Sequence, residues 1–519
     1  MIARIVEYSA RNRLVIVMLI VAIVASGIWA IKNTPLDAIP DLSDVQVIVY
    51  SKWSARSPDI VEDQVTYPIV TQLLSAPKVK AVRATSFFGF SLVYVIFEDG
   101  TEPYWARSRV LEYLSAMSGK LPDGVAPELG PDATGVGWAL EYVLVDKTGN
   151  LNLAELRSLQ DWNVQYQLRA VPGVAEVASV GGYVKQYQVT VDPDKLLAYK
   201  IPINHVAMAI RRSNQEVGGR VLEFTGREYM VRGRGYFSSL EDIEEVSLGA
   251  LPDGTPIRVR DVGDVQLGPD IRRGVVDYNG MGDTAGGIVV VRYGESTYDV
   301  LQRVKKTLAE SVAPSLPEGV EVEITYDRSE LIEHSVETLQ GKLIEEGIIV
   351  SLVCIVFLFH FRSALVAVLI LPLAVLMALC AMRFIGLTSN IMSLGGIAIA
   401  IGAMVDAAII MVENAHKHIE HEQLKPLEEQ RDRTTVVIEA AKEVAPSLFF
   451  SLLVITVSFL PVFALQDQEG RLFKPLAFTK TFSMFFAAIL SITVGPFLMA
   501  LLIRGRIPSE DKNPINRFL

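Results

Sequence analysis

Cysteine is nearly absent: the 519 residues hold two, Cys354 and Cys380, each inside an apolar run. No disulfide framework can be built from that pair, and the redox compartment stays open. Positive charge is in deficit as well. The formal net charge is −11, which argues against nucleic acid as a partner. Apolar side chains, by contrast, make up 50% of the chain, beside 21% charged residues. That mixture fits a membrane block alternating with a soluble one.

Six apolar runs read as membrane-spanning helices: Leu14–Ile31, Gly347–Phe361, Ala364–Met382, Ser393–Val412, Ser447–Leu465 and Phe482–Ile503. The first follows "MIARIVEYSARNR" and is too long for the core of a cleaved signal, so it is expected to stay as an anchor. Pro372, Pro461 and Pro496 fall inside spans, where neighbouring helices can satisfy the freed carbonyls. Basic residues mark one side of the membrane: Arg4, Arg11 and Arg13, then Arg362, then Lys417, Lys425, Arg431, Arg433 and Lys442, then Arg504 and Arg506. The opposite loops offer Arg383, Arg471 and Lys474. The positive-inside rule therefore places both ends in the cytoplasm and residues 32–343 outside it.

That long segment reads as soluble α+β structure. Ser57-Pro58 looks like the N-cap and first residue of a helix whose apolar stripe is Val61, Val65, Ile69 and Leu73. "SLVYVIF" (91–97) is a strand, and a helix with Val110, Leu114 and Met117 follows. Leu156, Leu159 and Trp162 mark another helix, and "VAEVASV" (174–180) and "KQYQVTV" (185–191) read as strands. There is a faint internal echo: "APKVKAV" (76–82) returns as "VPGVAEV" (171–177), and "LPDGV" (121–125) as "LPEGV" (316–320). Two related βαβ modules would produce it, the second interrupted by mixed strands around 183–271; chance recurrence of Pro/Gly turns would too.

Asp406 is the one charge in "SLGGIAIAIGAMVDAAIIMV" (393–412). A carboxylate at that depth costs about 2.5–3.5 kcal/mol on insertion scales, so it must stay neutral, find a partner or face water. Gly395 and Gly402 share its helical face and would let a neighbouring helix approach, which places Asp406 in a packed interface. Two roles fit: a proton or ion relay, or one half of a fixed ion pair. None of the six spans carries a basic residue at mid-depth, so a pairing partner would come from outside this chain.

One span, a large loop and five clustered spans, together with several long motifs, resemble the heavy-metal efflux branch of the RND superfamily. The motifs are "NTPLDAIPDLSDVQVIVY", "VTYPI", "PYWARSRVLEYL", "LGPDATGVGW", "LRSLQDW", "VASVGG", "NIMSLGGIAIAIGAMVDAAIIMVENAHK" and "EGRLFKPLAFTKT". The resemblance covers essentially the whole chain and is to the N-terminal half of a copper/silver pump. It implies a membrane α-helical bundle of six helices plus an α+β periplasmic region of ferredoxin-like βαβ porter modules with an inserted docking subdomain. The implied divisions are 1–35 for the first span, 36–134 for the first porter subdomain, and 135–182 with 272–335 for the second. The docking subdomain takes 183–271, the remaining spans 336–505, and a cytoplasmic linker 506–519. It further implies an inner-membrane proton/metal antiporter, not an enzyme. This would work as a homotrimer with a periplasmic adaptor and an outer-membrane channel, completed by a C-terminal half and needing no cofactor. Asp406 takes the place of the family's proton-relay acid. Multidrug members have two adjacent acids where this chain has Asp406 and Ala407, and zinc/cobalt/nickel members carry a further acid where it has Ala400. Both departures favour Cu(I) or Ag(I) as the transported ion.

Sulfur chemistry points the same way. Thioethers are soft donors suited to Cu(I) and Ag(I) rather than Zn(II). Met404 and Met411 lie two turns apart on the Asp406 helix, Met392 lies near its outer end, and Met484 and Met499 bracket the sixth span. Any one of them is equally well a gap-filler in an apolar helix. The five together match the branch's methionine relay, although Ile271 stands where that branch can carry another Met. His416, His418 and His421 could form a metal-acquisition cluster or a solvated helix end, and Glu413 a proton entry or an interfacial charge. Two other classes remain open: an exporter of divalent Zn/Co/Ni cations or of drugs on the same scaffold, and a transport-incompetent half needing a second chain.

Overall fold

The computed structural model describes residues 1–504 except positions 118, 273, 359 and 427, and leaves aside the side chains at 339, 342, 343, 350, 354, 357 and 358. The expected linker at 506–519 and the Cys354 side chain lie outside the described residues. The apolar block is built from α1 (Ile2–Arg11), α2 (Arg13–Asn33), α3 (Arg328–Leu358), α4 (Phe361–Phe384), α5 (Ile391–Gln423), α6 (Arg433–Val457), α7 (Asp467–Ile492) and α8 (Val494–Leu502). Among the described residues, five helical segments are long and apolar enough to cross a membrane: Arg13–Asn33, Phe361–Phe384, Ile391–Gln423, Arg433–Ala464 and Asp467–Ile492. The expected second span, Gly347–Phe361, falls on the end of α3 and the start of α4.

The expected sixth span, Phe482–Ile503, has different limits. Helix α7 already starts at Asp467, with Asp467 and Glu469 in the first turn, where carboxylates suit the helix dipole. It stops at Ile492, because Pro496 has no N–H for the Ile492 carbonyl and its ring crowds that carbonyl. Tight packing elsewhere comes from small residues. A Cβ on Gly27 of α2 would stand 2.6 Å from Leu376 of α4.

Between α2 and α3 stand two antiparallel sheets of one topology. The first contains β1 (Gln46–Lys52), β2 (Val79–Phe87), β3 (Phe90–Phe97) and β4 (Pro127–Leu129), ordered β2-β3-β1-β4. The chain then forms β5 (Trp138–Asp146) and β6 (Val174–Gly181). It detours through β7 (Lys185–Val191), β8 (Val217–Phe224), β9 (Arg227–Gly233), β10 (Ser247–Ala250), β11 (Pro256–Arg258) and β12 (Gly263–Pro269). It returns with β13 (Ala285–Val291) and β14 (Val320–Asp327), closing a sheet ordered β14-β5-β13-β6. Numbered within each module, both sheets read 4-1-3-2. Helical segments 58–74 and 103–115 connect strands 1–2 and 3–4 of the first module, and 153–169 and 297–315 those of the second. The internal echo is therefore a structural repeat. Both "APKVKAV" and "VPGVAEV" carry the chain from a helix into strand 2, and both Leu-Pro-X-Gly-Val runs precede strand 4.

The modules differ at one turn. Phe87 pairs with Phe90 across Phe88-Gly89, whereas Gly181 pairs with Ala285 and residues 182–284 stand in the place of that turn. The expected bounds 183–271 cover the inserted strands, and residues up to 284 form the return. An insertion at a hairpin tip leaves the sheet pairing intact. Gly181 and Gly182 have φ of +70° and +57°, and a Cβ on Gly182 would lie 2.9 Å from the Leu153 carbonyl, so the exit requires glycine.

The stripe Val61, Val65, Ile69 and Leu73 is wholly buried against Val47, Val49, Val93 and Val95. Residues four apart drift by about 40° per step on a regular α-helix. A π turn at Glu62–Thr66 widens the helix and brings them back into line. The expected helix is present over 153–169, and the equivalent π turn in the second module, Gln160–Val164, sets its inner face: Gln160 and Val164 are buried while Trp162 is exposed. The wider turn rotates the inner face, and the Tyr142 hydroxyl donates to Gln160 Oε1 at 3.0 Å to satisfy both polar groups.

Candidate functional site

Helix α5 carries the candidate site, and its start is held locally. Asn390 caps it, its Oδ1 accepting from the Ser393 N–H at 3.0 Å while the Asn390 N–H donates to Ser393 Oγ at 2.8 Å. The segment after α2 pairs with the loop before α5, through Asp37 N–H to the Ser389 carbonyl at 3.0 Å and Ser389 N–H to the Pro35 carbonyl at 2.9 Å. The segment that leads into the first sheet and the start of α5 are thus hydrogen-bonded to each other.

One face of α5 is packed. A Cβ on Gly396 would collide with Thr479 Oγ1 and stand 2.5 Å from the Leu476 carbonyl, so α7 crosses there at backbone distance. Further along, Met404, Ala407, Ala408 and Met411 meet Ala487 and Ser491 of α7, Met499 of α8, Val366 and Ile370 of α4 and Leu452 of α6 around a void of about 10 Å³. That is about the smallest space that admits a single water-sized particle. Three of the five expected methionines, Met404, Met411 and Met499, therefore converge. Met484 is fully buried in the same core without lining the void, and Met392 is half-buried near the outer end.

The other face is bare, which corrects the expectation of a packed interface. Asp406 and Gly402 are exposed, and a Cβ on Gly395 or Gly402 would meet open space. Among the described residues no hydrogen bond or ion pair engages Asp406. The cause is one residue of rotation: Gly396, not Gly395, receives α7, and consecutive positions differ by about 100°. A second correction concerns basic residues. Lys480 lies in the middle of α7, buried, with Nζ 3.1 Å from the Phe459 ring centroid. Hydropathy alone missed it because a lysine ends an apolar window.

The three histidines of "HKHIEHE" diverge. His416 is buried against α4, with Nε2 2.6 Å from Ser363 Oγ; His418 pairs with Glu443 at 2.7 Å; His421 is exposed. Glu413 pairs with Lys417 at 2.6 Å one turn on, as an interfacial charge does. Outside the helical block, Arg471 of α7 donates to the Leu42 carbonyl at 2.9 Å and pairs with Asp44 at 3.0 Å and with Asp99, clamping α7 to the first module. Its guanidinium holds the Asp99 carboxyl below the usual range. A cleft of about 890 Å³ opens between the modules, lined by Phe88, Trp138, Glu141, Arg157, Ile271 and Arg272 among others and by no methionine among the described residues.

The AcrB/AcrD/AcrF family profile matches residues 5–519. The chain belongs to this family of RND transporters. It is 55% identical over its whole length to the cation efflux system protein CusA of Escherichia coli (strain K12), covering 50% of that protein. It is 54% identical to the putative cation efflux system protein SilA of Salmonella typhimurium, again over 100% of this chain and 50% of the relative. A crystal structure of a heavy metal efflux pump superposes with a TM-score of 0.83 at 31% identity, over 96% of this chain and 48% of that one. The chain thus spans about half the length of the relatives it matches, and corresponds in sequence to the N-terminal half of a CusA-type pump.

Proposed function

We propose that the chain is the N-terminal half of an inner-membrane secondary transporter that exports Cu(I) or Ag(I) in exchange for protons. The observation that carries this reading is the meeting of Met404, Met411 and Met499 around one small void on the helix that bears Asp406. Three thioethers in an apolar setting offer soft neutral donors and no carboxylate or thiolate, a set that suits a monovalent soft cation and not Zn(II). Asp406 is the proton-relay acid, and its open face is the seat of a helix from the C-terminal half.

In this reading α3 supplies the sixth span, and both ends lie in the cytoplasm. The two 4-1-3-2 sheets are ferredoxin-like porter modules in the periplasm, and residues 182–284 are the docking subdomain. The functional unit is a homotrimer joined to a periplasmic adaptor and an outer-membrane channel.

The experiment is metal tolerance in a pump-deficient bacterium that co-produces this chain and the C-terminal half of a CusA-type protein. Copper and silver tolerance should rise and zinc and cobalt tolerance should not. The opposite pattern refutes the metal assignment. A reporter inserted at Gly226, the exposed tip of the β8–β9 hairpin, should be active only if it works in the periplasm, and one at Gln430 only if it works in the cytoplasm.

A further inference from the structure

One charge is buried in the packed half of the helical block. Lys480 is 7% exposed, and its Nζ stands 3.1 Å from the centroid of the Phe459 ring, the geometry of an ammonium on an aromatic face. Among the described residues no carboxylate pairs with it. Asp467 and Glu469 sit in the first turn of α7, roughly 16–20 Å away along the helix. Glu439 and Glu443 lie towards the far end of α6 from Phe459, and Asp406 is on the open face of α5.

Its place on α7 ties this charge to the methionines. Lys480, Met484, Ala487 and Ser491 follow one another at intervals of four, three and four residues, which is one face of a helix, and all four are buried. Ala487 and Ser491 line the void that Met404, Met411 and Met499 share. Lys480 is therefore about 10 Å from the void along the helix axis, with Met484 between. The crossing with α5 agrees: Thr479 meets Gly396, and Met404 is about two turns further along.

We propose that Lys480 sets the charge selectivity of the metal route: its ammonium, at the outer end of the methionine cluster, tolerates soft monovalent ions and rejects soft divalent ones. The inference rests on the methionine reading above. Coulomb repulsion grows in proportion to the charge of the ion. At a separation on the order of 12 Å and an effective dielectric constant of about 20, each unit of ionic charge lowers occupancy of the void roughly tenfold. A monovalent ion meets that factor once and a divalent ion twice. Thioether binding offsets the loss for Cu(I) or Ag(I), whose softness matches sulfur. A divalent ion of equal softness is still held about tenfold more weakly than the void alone would hold it relative to a monovalent one. Sulfur thus selects softness, and Lys480 selects charge.

Ag(I) and Cd(II) separate the two properties, since both are soft closed-shell ions and they differ in charge. Their binding to the full chain in detergent, read by titration calorimetry, is compared in wild type, Lys480→Leu, Lys480→Gln and Lys480→Arg. The ratio of Ag(I) to Cd(II) affinity should fall about tenfold in both neutral variants and keep its wild-type value in Lys480→Arg, which retains the charge. Removing a buried unpaired charge relieves a desolvation cost, so the abundance of the neutral variants should hold. In proteoliposomes of the pump completed with its C-terminal half, the same two variants should raise Cd(II) transport relative to Ag(I) by a similar factor. An unchanged affinity ratio in either neutral variant overturns the proposal, and so does a ratio in Lys480→Arg that falls as far as theirs. Ag(I) binding left unaltered by Met404→Ile combined with Met411→Ile refutes the methionine route instead, and the role of Lys480 with it.

Discussion

The two faces of α5 are made of the same kinds of residue and have opposite surroundings. On one, Gly396, Met404, Ala407, Ala408 and Met411 pack against α4, α6, α7 and α8 with almost no free volume. On the other, Gly395, Gly402 and Asp406 look onto open space. A glycine-rich stripe thus serves two purposes. Where the chain supplies its own neighbour it brings backbones together; where it does not, it leaves a face that, in the proposed reading, seats a helix of the C-terminal half. The sulfur residues sit in the finished half and the titratable residue in the unfinished half. In the proposed reading, three candidate metal-ligating methionines already meet within this chain, whereas the neighbour of Asp406 comes from the second half.

The largest expected effect breaks the open face. Asp406→Asn keeps the shape and removes the titratable proton, so the completed pump should lose copper export altogether while membrane insertion and trimer content stay at wild-type levels. Normal copper resistance in that variant would exclude the relay.

Next comes the packed face. Gly396→Val puts branched carbons against Thr479 and the Leu476 carbonyl, an overpacking cost on the order of 1–3 kcal/mol. Denaturant titration of the chain in detergent should show it, and an unchanged midpoint would mean that α5 and α7 do not cross there.

Met404→Ile and Met411→Ile sharpen the contrast between packing and chemistry. Volume-conserving apolar exchanges cost less than about 1.5 kcal/mol, so abundance should hold while copper and silver tolerance falls. Full activity in both would make these methionines filler and move the metal path elsewhere.

The smallest effect distinguishes the two glycines of the open face from Gly396. Gly402→Ala adds a methyl to open space and removes a flexible residue from a helix, a gain of roughly 0.5–1 kcal/mol for the chain alone. The same substitution should weaken assembly with the C-terminal half, read by co-purification. Equal co-purification would show that no helix seats at that glycine.

Much of this architecture was legible before folding, wherever the information is local. The apolar runs declared most of the spans, the four-residue stripe from Val61 to Leu73 declared a buried helix face, and repeated Pro/Gly turns declared paired modules. Asp406 and the methionines stood out by type and setting. Lys480 did not, since a hydropathy window treats a buried lysine as the end of a span. Nor did Ser363, whose partner His416 is more than fifty residues away.

Composition, periodicity and motif order by themselves determined that this is a membrane chain of alternating soluble and apolar blocks, with one intramembrane acid and a soft-donor helix. Those properties follow from transfer free energies and local pattern, which each residue carries wherever it is placed. Tertiary structure alone decided which of two adjacent glycines received α7, that Trp162 faced outward and Gln160 inward, and that three methionines but not five met. Each of these turns on a rotation of about 100° per residue, which a single π turn or a proline break resets. The rotation is set by what packs against the helix, and that is not written in the helix's own residues.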